Sequence, residues 1–185
     1  MQYSKDALLE LLGTESLKRG EFTLASGKKA SYYLDCRRIT LHPQGANLIA
    51  AGMLEILEAA ETLPAAVGGM AIGADPITAS IVTLAGQRDL PLKGFMVRKE
   101  PKAHGTGQQV EGPVEPGQEV VIVEDVITSG GSALKAVDAV EAYGLKVREV
   151  IAIIDRLAGG EAAFAARGLP LKTLTTIRDF GIEPE

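Results

Sequence analysis

The chain of 185 residues contains little of the chemistry that marks a metalloprotein or a disulfide-bonded protein. It has one cysteine, Cys36, so no disulfide can form within it. Its two histidines, His42 and His104, leave no Cys/His cluster that would bind a metal ion. A formal net charge of -5 and a sequence pI of about 5.2 argue against general affinity for nucleic acid or anionic lipid. Any anion site must therefore be a local concentration of positive charge.

Long apolar runs are also missing. No uninterrupted apolar stretch reaches the length that spans a membrane, and the first residues include the charged Lys5 and Asp6 rather than the apolar core of a secretion signal. We therefore expect a cytoplasmic protein without membrane contact. The composition, 46% hydrophobic and 23% charged, suits one well-buried α/β domain over residues 1–185.

Strand patterns alternate with helical patterns along most of the chain. The predicted helices are a short one that Ser4 caps and Gly13 ends, residues 43–60, residues 77–85, one whose apolar stripe at 133–140 is followed by Gly144 as its end, and residues 161–166. The predicted strands cover residues 67–72, 95–97, 120–123, 147–154 and 171–177. Because such alternation implies right-handed crossovers, we expect an α/β fold with a doubly wound, mostly parallel sheet. The N-terminal helix and a hairpin around residues 22–24 and 31–35 lie outside the repeat. They predict a small hood, about residues 1–40, over the crevice of a core of about residues 41–185.

The most informative segment, residues 120–132, joins an apolar strand to a helix through two acidic residues and a glycine-containing turn. Four β-branched residues at 120–123 indicate a strand that is buried on both faces, and such a strand ends at a ligand crevice. The turn at 128–132 offers backbone N–H groups at a helix start, where the dipole favours an anion, and its glycines let a ligand approach the main chain. We expect a phosphate group to bind there.

The acidic pair, Glu124 and Asp125, would repel that phosphate unless it faces another group. The vicinal hydroxyls of a ribose, with a magnesium ion and its waters nearby, suit two carboxylates. In the alternative interpretation the carboxylates merely end a strand and the glycines form an ordinary turn, which we would favour for a bare Gly-Gly turn. The full thirteen-residue arrangement favours the ligand site.

The segment of residues 100–113 is polar and rich in glycine, so it cannot bury itself and predicts a mobile lid. Arg98, Lys99, Lys102 and His104 place four potential cations within seven residues of an otherwise acidic chain. A positively charged lid fits an anionic ligand. The alternative is a solvated hairpin tip, which is what most such segments are.

Four segments resemble a known family. Residues 120–132 resemble the signature with which type I phosphoribosyltransferases bind phosphoribosyl pyrophosphate. Residues 97–105, Val-Arg-Lys-Glu-Pro-Lys-Ala-His-Gly, resemble the catalytic loop of the orotate phosphoribosyltransferases, and residues 20–33 resemble their hood segment, which contacts the orotate ring. Ile154-Asp155-Arg156, at a strand end, is the fourth. Together they span nearly the whole chain in the family's order, and they imply the type I phosphoribosyltransferase fold.

The resemblance implies transfer of ribose 5-phosphate from phosphoribosyl pyrophosphate to orotate, with magnesium, giving orotidine 5′-monophosphate and pyrophosphate in pyrimidine (UMP) biosynthesis. It implies catalytic roles for Lys102, His104 and Asp125. It implies contacts with orotate from Thr128, Arg156, Tyr32 and Tyr33. It implies contacts with phosphoribosyl pyrophosphate from Arg98, Lys99, Lys102, His104, Glu124, Asp125, Val126, Ile127, Thr128, Ser129, Gly130, Gly131 and Ser132. No side chain is expected to bind the magnesium ion directly, since substrate and waters near Asp125 would hold it.

Arg156 suits the orotate carboxylate because a guanidinium meets a planar carboxylate through two parallel hydrogen bonds. The alternative for Arg156 is a surface ion pair with Asp155 or Asp179, and the alternative for the two tyrosines is packing within the hairpin. The family also implies a homodimer in which the lid reaches the neighbouring subunit's site. The remaining alternatives are a phosphoribosyltransferase for another base and a regulator of this fold that senses phosphoribosyl pyrophosphate.

Two positions depart from well-known family members. Ala25, in the hood segment, and Gly73, in the loop after the strand at 67–72, stand where those members have lysine. Gly73, Ala74 and Asp75 offer backbone N–H groups and a metal-bound water to pyrophosphate instead.

Overall fold

A computed structural model describes residues 2–23, 29–100 and 108–184. The N-terminal part begins with helix α1 (Lys5–Leu11), continues through a wide π-type turn (Leu12–Ser16), and ends in an antiparallel hairpin of β1 (Leu17–Thr23) and β2 (Lys29–Leu34). Ser4 caps α1, because its Oγ accepts a hydrogen bond from the Ala7 N–H at 3.3 Å.

The remaining elements alternate between strand and helix. The strands are β3 (Ala66–Met70), β4 (Lys93–Val97), β5 (Val110–Glu111), β6 (Glu119–Ile127), β7 (Lys146–Asp155) and β8 (Leu171–Thr176). The helices are α2 (Arg37–Thr40), α3 (Pro43–Glu58), α4 (Ala74–Gln87), α5 (Gly131–Tyr143) and α6 (Gly160–Ala165), followed by a 3₁₀ turn (Ile177–Phe180). Pro43 begins α3, where its missing N–H costs nothing, and Gly144 ends α5 in the left-handed conformation.

The six strands form one sheet in the order β5-β4-β3-β6-β7-β8, and every pair is parallel except β4 with β5. The expected α/β fold with a mostly parallel sheet is confirmed. Because the sheet is parallel, the carboxyl ends of β3, β6 and β7 meet at one edge, which is where an open α/β sheet binds its ligand.

Helices cover both faces of the sheet, and the strand residues divide between two hydrophobic cores according to the period of two along a strand. Val121 and Val123 of β6 face the core under α1, α3 and α4. Val120 and Ile122 face the second core, under α5 and α6. All four side chains are fully buried, as their β-branched run predicts.

The hood packs firmly on the core. The Arg19 guanidinium donates to the carbonyl of Phe180 at 2.5 Å, and the Lys5 ammonium lies 3.0 Å from the Asp179 carboxylate, so the hairpin and α1 are both attached to the C-terminal turn. Within the hood, the Nε of Arg38 donates to the Glu15 carbonyl at 2.5 Å.

Three local features differ from the sequence-based predictions. The helical structure does not end at Gly13 as predicted, because the π-type turn continues it to Ser16. The first hairpin strand begins at residue 17 rather than 22, because main-chain pairing with β2 holds its polar residues in the ladder. Residues 110 and 111 of the expected lid pair with β4, whereas residues 101–107 lie outside the described part of the chain. Within the described ranges, no helix has the length and apolar character that crossing a membrane requires.

Candidate active site

A crevice of about 420 Å³ lies between the hood and the carboxyl edge of the sheet. One wall is the end of β2 and the start of α2, and the opposite wall is formed by the ends of β3, β6 and β7. Its lining residues are Tyr33, Leu34, Asp35, Cys36, Arg37, Met70, Ala71, Ile72, Gly73, Lys99, Glu124, Asp125, Val126, Ser132 and Arg156. Eight of them were predicted from the sequence to contact a substrate: Tyr33, Gly73, Lys99, Glu124, Asp125, Val126, Ser132 and Arg156.

The turn after β6 encloses a second, smaller cavity of about 160 Å³. Its lining is Glu124, Val126, Ile127, Thr128, Ser129, Gly130, Gly131, Ser132 and Ala133, so it shares Glu124, Val126 and Ser132 with the crevice. Gly130 precedes α5 with φ of 78°, in the left-handed region that glycine adopts without strain. A Cβ there would also lie 3.0 Å from the Phe164 ring. No described side chain caps α5, so the N–H groups of its first turn, which begins among residues that line this cavity, have no side-chain acceptor in the described part of the chain.

The acidic pair lies where the two cavities join. Glu124 is only 5% exposed, and among the described residues its Oε2 has no hydrogen-bond partner. Burial first, and then the charge of Asp125, raise the pKa of the Glu124 carboxyl to about 8, against a hydrogen bond from Ser132 that lowers it. Gly73 lies close by, because a Cβ on it would be 3.4 Å from Asp125 Oδ1 and 3.5 Å from Glu124 Oε1. The loop after β3 therefore faces the carboxylates across the crevice.

Arg156 reaches the crevice from the end of β7. Its backbone N–H donates to the Ile127 carbonyl at 2.8 Å, which joins the turn after β7 to the turn after β6. Its side-chain Nε donates to the hydroxyl of Tyr32 at 2.6 Å, and its Cζ lies 4.7 Å from the centroid of the Tyr32 ring. Within the described ranges, Arg156 forms no ion pair with Asp155 or Asp179, which were its alternative partners: Asp155 accepts from the Leu157 N–H and Asp179 pairs with Lys5.

The two hood tyrosines have different surroundings. Tyr33 is 41% exposed, lines the crevice and packs at a tilt against Phe22, with 5.8 Å between the ring centroids. Tyr32 is 3% exposed, does not line the crevice, and contacts it through Arg156. Of the two tyrosines predicted to contact orotate, Tyr33 is therefore the one whose side chain borders the crevice.

Two charged residues of the crevice were missed from the sequence. Arg37 binds Asp35 through two hydrogen bonds, Nε to Oδ1 at 2.8 Å and Nη2 to Oδ2 at 3.0 Å. The bond from Arg37 lowers the pKa of the Asp35 carboxyl, which keeps that group ionised. The signal was available in the sequence, since an acid and a base two residues apart follow directly after a predicted hood strand.

The predicted cations are distributed over different surroundings. Lys99 lines the crevice, whereas the Arg98 guanidinium lies 3.8 Å from Glu111 Oε1, away from the crevice lining. Ile127 contributes main chain to the small cavity, because its side chain is buried in the second core. Lys102 and His104 lie outside the described residues, so their predicted roles stay predictions.

Comparison with known proteins gives a consistent family. Residues 37–167 match the family model described as the phosphoribosyl transferase domain. An orotate phosphoribosyltransferase of Rhodopirellula baltica is 75% identical over 181 residues, which cover 96% of this chain and 94% of the relative. That of Aquifex aeolicus is 42% identical over 177 residues, which cover 94% of this chain and 96% of the relative.

Solved structures agree with these relatives. A crystal structure of orotate phosphoribosyltransferase from Mycobacterium tuberculosis H37Rv, in complex with 5-phospho-alpha-D-ribosyl 1-diphosphate, matches with a TM-score of 0.82 and 36% identity. The match covers 96% of this chain and 99% of that one. The domain match, the identity to relatives over almost the full length and the shared fold lead to one assignment: the chain belongs to the orotate phosphoribosyltransferases.

Proposed function

We propose that the crevice transfers ribose 5-phosphate from phosphoribosyl pyrophosphate to orotate, forming orotidine 5′-monophosphate and pyrophosphate in pyrimidine biosynthesis. The main support for this proposal is that three chemically different sites meet at one edge of the sheet. A small cavity lined by uncapped N–H groups suits a phosphate, a buried acidic pair suits sugar hydroxyls, and an arginine suits a carboxylate.

The 5′-phosphate would occupy the cavity of the turn at 128–132. Gly130 and Gly131 at the start of α5 line this space, as do the hydroxyl-bearing residues Thr128, Ser129 and Ser132. The start of a helix favours an anion. The ribose would then extend toward Glu124 and Asp125, whose oxygens accept hydrogen bonds from vicinal hydroxyls. The free Oε2 of Glu124 supports this direction, since a buried polar atom without a partner is costly unless a ligand supplies one.

The acidic pair also fits a magnesium ion. In the described part of the chain, no group of three or more His, Cys, Asp and Glu side chains is placed to hold a metal by itself. Asp125 and Glu124 offer oxygen ligands of the kind that magnesium uses, mostly through its waters. Bound together with phosphoribosyl pyrophosphate, the ion would neutralise part of the charge on the departing pyrophosphate.

The chain's own cations would complete that neutralisation. Displacement at the anomeric carbon passes through an oxocarbenium-like state, so stabilising the leaving group matters more than activating a nucleophile. Lys99 already lines the crevice, and we assign Lys102 and His104 to arrive when the lid closes and excludes water. Arg98 would join them only by leaving Glu111.

Orotate would bind between the hood and the turn after β7. Arg156 would hold its carboxylate through paired hydrogen bonds, Tyr33 would border its ring, and Thr128 lies near the same end of β6. A ring nitrogen of orotate would then face the anomeric carbon of the ribose.

We also propose a cytoplasmic homodimer in which the lid serves the neighbouring subunit. Residues 98–104 are rich in cations although the chain as a whole carries a net negative charge. This contrast supports a lid that binds an anionic ligand. Light scattering during size-exclusion chromatography tests the dimer, since a monomeric mass at assay concentration would contradict it.

A spectrophotometric assay tests the reaction. With phosphoribosyl pyrophosphate and magnesium present, the ultraviolet absorbance of orotate should fall as it is consumed. Adenine, guanine, xanthine and uracil, tested in parallel, should be poor substrates because they lack the carboxylate that Arg156 would bind. Transfer to a purine, or no transfer to orotate, would contradict the proposed substrate.

A further inference from the structure

We propose that Tyr32 is a positioning residue, which fixes the guanidinium of Arg156 in the orientation that selects the carboxylate of the base. This inference rests on the proposed role of Arg156 and goes beyond it, because it assigns to Tyr32 a function that does not involve contact with orotate.

The contact between the two side chains is close and shielded. Arg156 Nε donates to the Tyr32 hydroxyl at 2.6 Å, a short distance for a hydrogen bond from a charged donor. The guanidinium carbon lies 4.7 Å from the centroid of the same ring, within the range of a cation–π contact. Tyr32 is 3% exposed and belongs to the core under α1 and α3, so its ring cannot turn to follow a moving arginine.

The hydrogen bond also determines which side of the guanidinium remains available. An arginine can meet a carboxylate side-on, through Nε and one Nη, or end-on, through both Nη groups. The Tyr32 hydroxyl occupies the Nε–H and leaves the end-on approach. Among the described residues, no group accepts a hydrogen bond from the Nη atoms of Arg156, which belongs to the crevice lining.

The backbone of Arg156 is held from the opposite side. Its N–H donates to the Ile127 carbonyl at 2.8 Å, and the next residue, Leu157, donates to Asp155 Oδ1 at 2.8 Å. The main chain therefore fixes where the side chain begins, and Tyr32 fixes where the guanidinium lies. A side chain with many rotatable bonds that is ordered before the ligand arrives loses less entropy on binding.

Tyr32 and Arg156 are separated by 124 residues in the chain. Tyr32 belongs to the hood and Arg156 to the core, so the bond makes the orotate end of the crevice depend on how the hood is seated. The sequence alone indicated only two adjacent hood tyrosines with a shared role. The structure separates them into one that borders the crevice and one that holds the arginine.

Substitution Tyr32→Phe tests the inference, because it keeps the ring and removes the hydroxyl. Loss of a hydrogen bond to a charged group should raise the KM for orotate about tenfold. We expect the KM for phosphoribosyl pyrophosphate and the melting temperature to change little. Tyr143→Phe is the matched control: its hydroxyl donates to the Val114 carbonyl at 3.3 Å, outside the crevice lining, so both KM values should stay unchanged.

A double-mutant cycle with Arg156→Ala separates positioning from direct contact. If Tyr32 acts through Arg156, Tyr32→Phe should have no further effect on the KM for orotate once Arg156 is alanine. An equal effect in both backgrounds would overturn the inference, since Tyr32 would then contact orotate itself. An unchanged KM in Tyr32→Phe beside a raised KM in Arg156→Ala would overturn it while leaving the carboxylate assignment standing. An unchanged KM in Arg156→Ala would overturn the assignment and the inference together.

Discussion

Two buried glutamates on neighbouring strands have opposite surroundings. Glu149, near the start of β7, is 3% exposed, and both of its oxygens are paired: Oε1 with Arg148 Nη2 at 3.1 Å and Oε2 with Lys172 Nζ at 2.7 Å. Glu124, near the end of β6, is 5% exposed and has an oxygen with no partner among the described residues. The Glu149 carboxylate is paired within the protein, whereas the Glu124 carboxyl keeps its proton at neutral pH and leaves one oxygen open to a ligand.

Backbone geometry contributes to the pairing at the amino edge. Val120 pairs with Val147 and Val121 with Glu149, so Arg148 is an extra residue in β7 that forms a bulge. Arg148 also donates to the Thr62 carbonyl at 2.9 Å, which ties the loop before β3 to this edge. At the carboxyl edge, the same sheet places two adjacent acids and a glycine turn. The comparison indicates that the buried glutamate at the amino edge is paired within the protein, whereas the one at the carboxyl edge has an oxygen open to a ligand.

The largest expected effect comes from removing a cation at the functional edge. Lys102→Ala should lower kcat about 10²- to 10³-fold with little change in the KM for phosphoribosyl pyrophosphate, because its partner charge develops in the transition state. Steady-state kinetics measure both constants. The matched control is Lys172→Ala, which removes a cation at the structural edge and should leave kcat unchanged. Unchanged turnover in Lys102→Ala would remove that residue from the mechanism.

The next effect concerns stability. Glu149→Gln should lower the free energy of unfolding by about 2–3 kcal/mol, since it removes the carboxylate that pairs with Lys172 and leaves Arg148 with Glu119 at 3.4 Å as its remaining acidic partner. Urea unfolding at neutral pH measures it, and kcat of the folded variant should equal that of the wild type. A variant as stable as the wild type would show that the ion pairs of Glu149 do not contribute to the free energy of unfolding.

The third substitution is expected to raise the free energy of unfolding rather than lower it, and the size of its effect depends on pH. The folded chain holds the Glu124 proton up to about pH 8, whereas an unfolded carboxyl releases it near its ordinary pKa of 4.5. Its contribution to stability is therefore complete below pH 4.5 and is lost as the pH rises toward 8. Glu124→Gln lacks this loss, so its advantage in unfolding free energy over the wild type should grow between pH 5 and pH 8, by at most about 1.4 kcal/mol for each pH unit. An advantage that is constant with pH would contradict the shifted pKa.

The sequence predicted those features that depend on local pattern. Three features follow from the local sequence pattern and appear in the structure: the β-branched run at 120–123, the glycine turn after it and the alternation of strands with helices. The acidic pair was predicted from its place after a buried strand, and the family resemblance added Arg156 at the end of another strand. A parallel sheet brings both strand ends to one edge.

Features that depend on contacts between distant residues were not predicted. The bond between Tyr32 and Arg156, the ion pairs of Glu149 and the bulge at Arg148 have no periodic signature, because each partner is chosen by how the hood, β7 and β8 are assembled. The polar start of β1 failed as a strand signal for a similar reason. Pairing with β2, rather than a buried face, keeps residues 17–21 extended.

Calorimetric titration with phosphoribosyl pyrophosphate and magnesium tests whether the turn at 128–132 binds the 5′-phosphate. We expect one site per chain in the wild type and no measurable binding in Gly131→Asp. A Cβ at residue 131 meets nothing closer than Ser129 Oγ at 3.7 Å, so the added side chain fits the fold while its carboxylate repels the phosphate. No heat of binding in the wild type, or equal binding by a folded Gly131→Asp variant, would contradict the account.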